Sequence, residues 1–315
     1  MTDTANKEET GKFEQSLVNE LAKEILIEQR RSRRWGIFFK LLLAIYFFSF
    51  LLIYLAGESE MSGLTGGKHT ALVDIEGVIA ADTDANADYI VTGLRHAFED
   101  KNTKGVILRI NSPGGSPVQA GYVNDEIKRL REEYPDIPLY AVISDICASG
   151  GYYIAAAADK IYANKASIVG SIGVIMSGFG FVDAIDKLGI ERRLLHAGEH
   201  KGFMDPFQPI KTDEKNHVQG LLDEIHQQFI DVVKEGRGDR LVNDDKLFTG
   251  LIWSGEESVK LGLVDGLASA SQVARDIIGA EDIVDYTKHE NYLDRFANRI
   301  GSAMFNSLSE SPVLR

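Results

Sequence analysis

The sequence predicts an α/β protein with a largely parallel sheet, preceded by one N-terminal transmembrane helix. From residue 69 onward, short runs rich in β-branched residues alternate with segments of helical periodicity. This alternation is typical of right-handed β-α-β units. Between residues 36 and 57 the chain is apolar, with a single charge, Lys40, near one end. A helix of that length spans the hydrocarbon core of a bilayer, which is about 30 Å thick.

The apolar run is expected to remain as an anchor and not to be cleaved as a signal peptide. Residues 1–35 precede it and are mostly polar, its apolar core is longer than that of a signal peptide, and "LAGESEMSG" is a weak cleavage site. Four arginines between residues 30 and 34 precede the run, whereas Glu58 and Glu60 follow it. The positive-inside rule therefore predicts a cytoplasmic N-terminus and a large domain on the outer side of the inner membrane.

We divide the chain into five parts. They are a cytoplasmic juxtamembrane segment (1–35), the transmembrane helix (36–57), a linker (58–69), an α/β domain (70–280) and a C-terminal segment (281–315). The linker is glycine-rich, which is typical of a flexible tether. The juxtamembrane and C-terminal segments each have apolar residues at helical spacing. In the C-terminal segment this spacing indicates either an oligomer contact or an internal core face.

The elements of the α/β domain follow from its patterning, taken in chain order. "TALVDIEGVI", "GVILRIN" and "PLYAVIS" are predicted strands, separated by the helices "DANADYIVTGLRHAFED" and "QAGYVNDEIKRLREEY". In the first helix Ile90, Leu94 and Phe98 share one face. A helix from about residue 150 to 158 follows, then "KIYAN" and "SIVGSIGVIM". After Pro209 we expect a long helix, "DEKNHVQGLLDEIHQQFIDVVKEGR", and then "LIWSGEESVKLGLVDGLAS".

Composition excludes several classes of function. The net charge is −13 and lies mostly in the main domain, so no basic stripe is available to displace counterions from a nucleic acid. The single cysteine, Cys147, excludes an intrachain disulfide and a thiolate-rich metal site. The sequence has no pair of histidines four residues apart on a predicted helix, no Walker A loop and no dinucleotide fingerprint. No metal and no cofactor are expected.

Three glycine-rich junctions lie where strands end and helices begin. In "RINSPGGSPVQ", Gly114 and Gly115 can direct their N–H groups into open space, as an oxyanion hole requires. An ordinary strand-to-helix turn is the alternative interpretation of this Pro-Gly-Gly sequence. In "CASGGYYIAAAAD", Ser149 is either a helix N-cap or a nucleophile assisted by the helix dipole and the Gly150 N–H. The stretch is not the Gly-x-Ser-x-Gly elbow. In "SIVGSIGVIM", Ser171 is either a hydrogen-bond partner for a charged group or an incidental serine.

A nucleophilic serine needs a base, and "LLHAGEHKGFMDPF" offers two candidates side by side. His200 suits a Ser-His-Asp triad, and Lys201 suits a serine-lysine dyad if burial or nearby donors lower its pKa toward neutrality. Composition does not choose between them. Cys147 is a weaker rival nucleophile, because a cysteine among small apolar residues is more often a core residue.

The stretches "DIEGVI", "ILRINSPGGSP", "DICASGGYYIAAAADKIYANKASIVGSIGVI", "HAGEHKGFMDPF" and "WSGEESVKLGLVDGLA" occur in this order. Over about residues 70–280 the chain resembles the signal peptide peptidase A family, membrane-anchored serine-lysine proteases with a Clp protease/crotonase-like fold. The resemblance implies that Ser149 is the nucleophile and Lys201 the general base. It also implies that Ser171 hydrogen-bonds the lysine and that Gly114 and Gly150 form the oxyanion hole.

The resemblance also implies partners and a location. The absence of an internal repeat matches the single-copy form of the family, which implies a ring-shaped homo-oligomer whose dyad can combine Ser149 and Lys201 of neighbouring subunits. The implied substrates are cleaved signal peptides and other hydrophobic peptides at the membrane. A non-proteolytic crotonase-like scaffold that binds peptide or membrane partners, with Ser149 only capping its helix, is the alternative. A crotonase-type CoA enzyme is a less favoured alternative. CoA substrates are cytoplasmic, whereas the main domain is predicted to lie on the outer side of the membrane.

Overall fold

The computed structural model describes residues 28–51 and 67–289, and the chain divides into two compact units, Met1–Thr65 and Gly66–Arg315. In the first unit, helix α1 (Glu28–Leu51) carries exposed apolar side chains along its length. Among the described residues it is the one helix long and apolar enough to cross a membrane. It begins earlier than predicted, and residues 52–57 of the predicted span lie outside the described residues, as do residues 1–27 of the predicted juxtamembrane segment.

The second unit alternates strands and helices as predicted. Its strands are β1 (His69–Glu76), β2 (Thr103–Ser112), β3 (Leu139–Ala148), β4 (Lys160–Ala163), β5 (Ile168–Gly170), β6 (Ile252–Ser254), β7 (Gly266–Leu267) and β8 (Ile283–Asp285). Its helices are α2 (Ala87–Glu99), α3 (Pro117–Glu133), α4 (Gly150–Ala155), α5 (Val182–Lys187), α6 (Thr212–Arg237), α7 (Gly255–Lys260) and α8 (Ala270–Gln272). Short 3-10 turns cover Gly238–Arg240 and Asp245–Phe248, and a π-helical turn covers Val273–Ile278.

The strands form one mixed sheet in the order β6-β5-β3-β2-β1-β8, with β4 beside β3 and β7 beside β4. All pairings are parallel except that of β5 with β6. β3 has two neighbours on the same side: its amino half pairs with β4 and its carboxyl end pairs with β5. The predicted α/β class with repeated β-α-β units is confirmed, as is the N-terminal apolar helix.

The core lies mainly on one face of the sheet, under α2, α3 and α4. On α2 the predicted face is buried: Ile90, Leu94 and Phe98 are each at most 2% exposed, which is the expected outcome for apolar residues at helical spacing. α3 begins with Ser116 as N-cap, whose side chain accepts from the Gln119 N–H, and with Pro117 in the first turn, where its missing N–H costs nothing. A smaller cluster covers the other face.

Two elements are shorter than predicted. The helix that begins at Gly150 ends at Ala155. The predicted strand in "SIVGSIGVIM" ends at Gly170, because Gly170 and Ser171 have φ angles of 113° and 53°, outside the extended region. β8 pairs with β1 and lies beyond residue 280, the predicted end of the domain. The predicted helical segment with Leu293, Phe296, Ile300 and Met304 lies outside the described residues.

Candidate active site

Ser149 joins β3 to α4 in an unusual backbone conformation. Its φ and ψ angles are 51° and −123°, which a residue with a β-carbon adopts only when its surroundings impose it. Although it occupies the N-cap position of α4, its side chain makes no capping hydrogen bond. Among the described residues only Ser149, Ser171 and Met204 combine a side chain with a positive φ. Two of these three lie together at the end of the sheet.

The backbone around Ser149 is held by its neighbours. The Ser149 N–H donates to the Gly170 carbonyl oxygen over 2.9 Å, which continues the β3–β5 ladder by one residue. On the other side Gly114 packs against it, since a β-carbon on Gly114 would lie 2.6 Å from that of Ser149. Gly114 has a φ of 100°, so glycine is required there both for space and for conformation.

Ser171 lies next to Ser149, because the β3–β5 register pairs Ala148 with Gly170. Its N–H donates to the Leu251 carbonyl oxygen over 2.7 Å, and its side chain is half-buried. The two serines thus follow paired strand ends. The structure brings Ser149 together with Ser171, Gly114 and Gly150, which the sequence places at three separate glycine-rich junctions.

Three backbone amides near Ser149 differ in their partners. The Gly114 N–H donates to Ser112 Oγ over 3.1 Å, so in this conformation it is engaged. Within residues 67–289 the Gly115 N–H has no acceptor, and its nitrogen lies 3.3 Å from the position of a β-carbon on Gly150. Gly150 is the first residue of α4, where helical N–H groups lack intrahelical acceptors. Gly115 and Gly150 are therefore the amides open to an oxyanion.

A cavity of about 140 Å³ opens beside Ser149. Besides backbone from the glycine-rich junctions, its walls come from Pro117, Tyr153, Ile225 and Phe229. Burial raises the pKa of Tyr153 above its usual range. Sequence patterning placed Tyr153, Ile225 and Phe229 on helices and did not mark them as site residues, whereas Pro117 lies in the first glycine-rich junction. For Tyr153 the signal that could have found it is its position in the first turn of the helix that follows Ser149; Ile225 and Phe229 lie on α6, far from the junctions in sequence, and gave no such signal.

Lys201 and His200 lie elsewhere on the chain, in an exposed turn where the Lys201 N–H donates to the Gly198 carbonyl oxygen. Lys201 does not line the cavity beside Ser149. Within the described part of the chain its ammonium group has neither a hydrogen bond nor an ion pair. The structure of the single chain therefore does not bring either candidate base to the serine.

The turn with Lys201 belongs to a segment that is largely exposed to solvent. Residues 175–210, which we call the exposed apolar segment, contain one short helix, α5, and otherwise irregular backbone. Large apolar side chains in it face solvent, among them Ile175, Phe179, Leu188, Ile190, Leu195 and Ile210. Contiguous exposed apolar surface of this kind is typical of a contact with another molecule.

Cys147 is buried two residues before Ser149, and its burial raises the pKa of the thiol. A thiol held in its protonated form is a poor nucleophile. Within residues 28–51 and 67–289 there is no group of three or more His, Cys, Asp or Glu side chains that could hold a metal ion.

Comparison with known proteins shows what the chain resembles. Residues 132–282 match the sequence profile described as Peptidase family S49. A protein provisionally named signal peptide peptidase SppA, from Enterococcus faecium, is 30% identical over 251 residues, which are 76% of this chain and 72% of that protein. A provisionally named protease from Methanocaldococcus jannaschii is 31% identical over 271 residues, 81% of this chain and 86% of that protein.

Other similarities are partial or distant. Two proteins named Na(+)/H(+) antiporter NhaA, from Brucella abortus and Brucella melitensis, are 44% identical over 186 residues, 59% of this chain, and the match spans 25% of their length. A mutant of the 1510-N membrane-bound stomatin-specific protease has a TM-score of 0.37 and 15% identity, covering 72% of this chain and 97% of that one. That structural similarity is too low to support an inference.

The relatives from Enterococcus faecium and Methanocaldococcus jannaschii, which the chain covers along most of their length, are both named as proteases, and the matched profile is that of a peptidase family. The match includes the β3–α4 junction with Ser149 and the turn with Lys201. This chain belongs to peptidase family S49, the family of signal peptide peptidase A.

Proposed function

We propose that the chain is a membrane-anchored serine endopeptidase in which Ser149 is the nucleophile and Lys201 the general base. The observation that carries the proposal is the half-buried Ser149 side chain. It is held in a strained conformation at the mouth of a cavity, next to the open amides of Gly115 and Gly150. Strained residues cluster at active sites because their conformation is part of the mechanism. The family supports peptide-bond hydrolysis as the reaction.

The proposed mechanism uses these groups in order. Neutral Lys201 takes the proton of the Ser149 hydroxyl as its oxygen attacks the peptide carbonyl. The negative oxygen of the tetrahedral intermediate accepts hydrogen bonds from two backbone amides, Gly150 and a glycine of the 114–115 pair. The lysine ammonium, oriented by the Ser171 hydroxyl, then protonates the leaving amine. Neutral Lys201 then takes a proton from water as the water oxygen attacks the acyl-enzyme, and returns that proton to the Ser149 oxygen as the ester bond breaks.

The lysine is proposed to come from a neighbouring copy. Lys201 is exposed and lies outside the cavity of its own chain, on the exposed apolar segment. Packing of that segment against a second chain would bury the apolar side chains and bring Lys201 of the partner subunit to Ser149. Burial of an ammonium group disfavours its charged form. The lysine would then be neutral more often, and only the neutral amine can act as a general base. A ring of identical subunits satisfies every such contact.

Hydrophobic peptides, such as the remnants of signal peptides, are the proposed substrates. The cavity beside Ser149 has mostly apolar walls, with Gln228 as a polar side chain among them, and suits an aliphatic side chain next to the scissile bond. An extended peptide can add to the edge near Gly115, where the chain already forms a parallel bridge with Ile79. Helix α1 supports an anchor in the inner membrane. The four arginines between residues 30 and 34 support a cytoplasmic N-terminus and an outer catalytic domain.

A complementation experiment tests the reaction and the shared dyad together. The full-length chain in detergent should cleave an apolar fluorogenic peptide, whereas Ser149→Ala and Lys201→Ala should each be inactive and His200→Ala should remain active. When the two inactive variants are unfolded together and refolded as mixed oligomers, activity should return, because some sites pair an intact Ser149 with an intact Lys201. Mixed oligomers of Ser149→Ala with the Ser149→Ala/Lys201→Ala double variant are the control and should stay inactive.

The outcomes separate the hypotheses. Activity of Lys201→Ala at the wild-type level would exclude the lysine base, and an inactive His200→Ala in the same assay would assign that role to histidine. Inactive single variants that do not complement would place the dyad within one chain. If the wild-type protein cleaves neither the peptide nor unfolded casein, and a fluorophosphonate probe does not label Ser149, the chain is a binding scaffold.

A further inference from the structure

The backbone that carries Ser171 is fixed by hydrogen bonds from several elements. We call residues 170–172 the Ser171 turn. The Gly170 carbonyl accepts from the Ser149 N–H over 2.9 Å, and the Ser171 N–H donates to the Leu251 carbonyl over 2.7 Å. The Ile172 carbonyl accepts from the Gly250 N–H over 3.1 Å. These backbone bonds connect the turn to β3 on one side and to the loop before β6 on the other.

One side chain adds to this set. His226, on α6, places Nε2 3.3 Å from the Ile172 carbonyl oxygen. A carbonyl oxygen only accepts, so Nε2 carries the proton and donates. Among the described residues His226 is the one side chain that hydrogen-bonds the Ser171 turn. The Ile172 carbonyl therefore receives two donors, one from the backbone of Gly250 and one from the imidazole.

The turn needs such support because its conformation is unfavourable. Ser171 has a φ of 53°, and a serine in this region is held only where the surroundings impose it. Gly170 precedes it with a φ of 113°, and a β-carbon there would lie 2.8 Å from the Trp253 ring. Trp253 thus fixes one end of the turn by packing, while the imidazole of His226 reaches the other end.

The position of His226 also relates the turn to the cavity. Ile225 and Phe229, its neighbours on α6, line the cavity beside Ser149. Phe229 is 4% exposed and Val233, one turn further, is fully buried, so this part of α6 is anchored in the core. Because the His226 imidazole is attached to this anchored helix, its hydrogen bond keeps the Ile172 carbonyl in a fixed position. α6 therefore supplies both a wall of the cavity and a fixed reference for the Ser171 turn.

We propose that His226 is a positioning residue of the active site: through its Nε2–H bond to the Ile172 carbonyl it holds Ser171 beside Ser149. The inference rests on the proposed function, in which the Ser171 hydroxyl orients the lysine. Loss of the imidazole donor leaves the turn with its backbone bonds and the Trp253 packing at the Gly170 end, and leaves the Ile172 end without side-chain support. Ser171 then departs from the geometry that the lysine needs, and the chemical step slows while the cavity that binds the substrate is unchanged.

The test compares two amides at one position in the full-length protein. In His226→Gln the side-chain amide reaches the place of Nε2, whereas in His226→Asn it falls short of the Ile172 carbonyl. His226→Asn should lower kcat for an apolar peptide about tenfold, the effect of losing one well-placed hydrogen bond, with KM within about twofold. His226→Gln should keep kcat within about twofold of wild type. His217, exposed on the same helix, supplies matched controls, His217→Asn and His217→Gln, which should both match wild type.

A purely structural role gives a different pattern. If both His226 variants lower the thermal midpoint equally and lose activity equally, or if His226→Asn keeps the wild-type kcat, the positioning role is wrong. The rate of fluorophosphonate labelling of Ser149 should fall in His226→Asn in parallel with kcat. Ser149→Ala serves as the reference: if it keeps activity, the proposed function itself fails, whereas an inactive Ser149→Ala with equal His226 variants refutes the positioning role alone.

Discussion

Replacing Gly114 by alanine probes the packing that sets the conformation of Ser149. A β-carbon on Gly114 would lie 2.6 Å from the Ser149 β-carbon and 2.8 Å from both the Ala148 carbonyl oxygen and the Gly150 nitrogen. Ordinary contacts between such atoms begin near 3.4 Å. The three neighbours belong to the β3–α4 junction: two are backbone atoms and the third is a β-carbon attached directly to the backbone, so none of them can move aside by a side-chain rotation.

Two costs follow for Gly114→Ala. The φ of 100° is unfavourable for alanine by about 1–3 kcal/mol, and relief of the overlap requires the loop or the junction to move by roughly 1 Å. Movement on that scale at a reacting group lowers the rate about a hundredfold. Because the strands themselves are untouched, we expect a folded protein that is less stable by about 2 kcal/mol and has lost nearly all Ser149 reactivity.

The assay is the second-order rate of fluorophosphonate labelling of Ser149, measured beside urea unfolding. Gly121→Ala is the matched control: Gly121 lies within α3, and a β-carbon there would meet nothing within 4 Å. That substitution should leave labelling unchanged and raise the unfolding free energy by about 0.5–1 kcal/mol, as expected for glycine to alanine inside a helix. Labelling of Gly114→Ala at the wild-type rate would refute the inference that this contact sets the serine geometry.

Further predictions concern stability and reactivity away from the proposed dyad. Asp265→Ala leaves the buried Arg237 guanidinium without the carboxylate 2.7 Å away and should cost about 3–5 kcal/mol by urea unfolding; a loss below 1 kcal/mol would contradict this. Burial raises the pKa of Cys147, so iodoacetamide at pH 8 should label it only after unfolding, and Cys147→Ala should keep activity; rapid labelling of the native protein would contradict the first expectation and an inactive Cys147→Ala the second. The hydrogen bond from Tyr286 holds the pKa of Asp100 below its usual value. A carboxyl whose pKa is lower in the folded state stabilises the folded protein at pH values above its unfolded-state pKa, about 3.9. This stabilisation is lost as the pH falls through the folded-state pKa. Tyr286→Phe should therefore cost about 1–2 kcal/mol at pH 7 and progressively less below about pH 4; a loss that does not change with pH would count against this bond.

The secondary structure of the domain was largely predictable because its patterns are local. Apolar β-rich runs marked β1, β2 and β3, and helical spacing marked the buried face of α2. The strand predicted in "SIVGSIGVIM" was too long, since what ends it is the backbone conformation at Gly170 and Ser171. That conformation is imposed by Trp253 and by the loop before β6, which lie about 80 residues further along the chain.

The site was predictable in part for the same reason. Glycine-rich junctions at the ends of adjacent parallel strands meet at one edge of a sheet, and this brought Ser149, Ser171 and Gly114 together. The engagement of the Gly114 N–H by Ser112 Oγ depends on a side-chain rotamer that no local pattern encodes. The exposure of Lys201 depends on how its segment packs in three dimensions. His226 gave no signal, because a single histidine on an amphipathic helix is indistinguishable from a surface residue.

The exchange of neighbours along β3 has a consequence for local stability. The amino half of β3 lies between β2 and β4, whereas its carboxyl end, which leads to Ser149, lies between β2 and the three-residue β5. On its other side β5 pairs with β6, which is also three residues long. Strands with so few hydrogen bonds open at a lower free energy than the centre of a sheet. Amide hydrogens in β5 should therefore exchange faster than those in β2. The conformation of Ser149 can thus be lost and regained while the rest of the sheet stays folded.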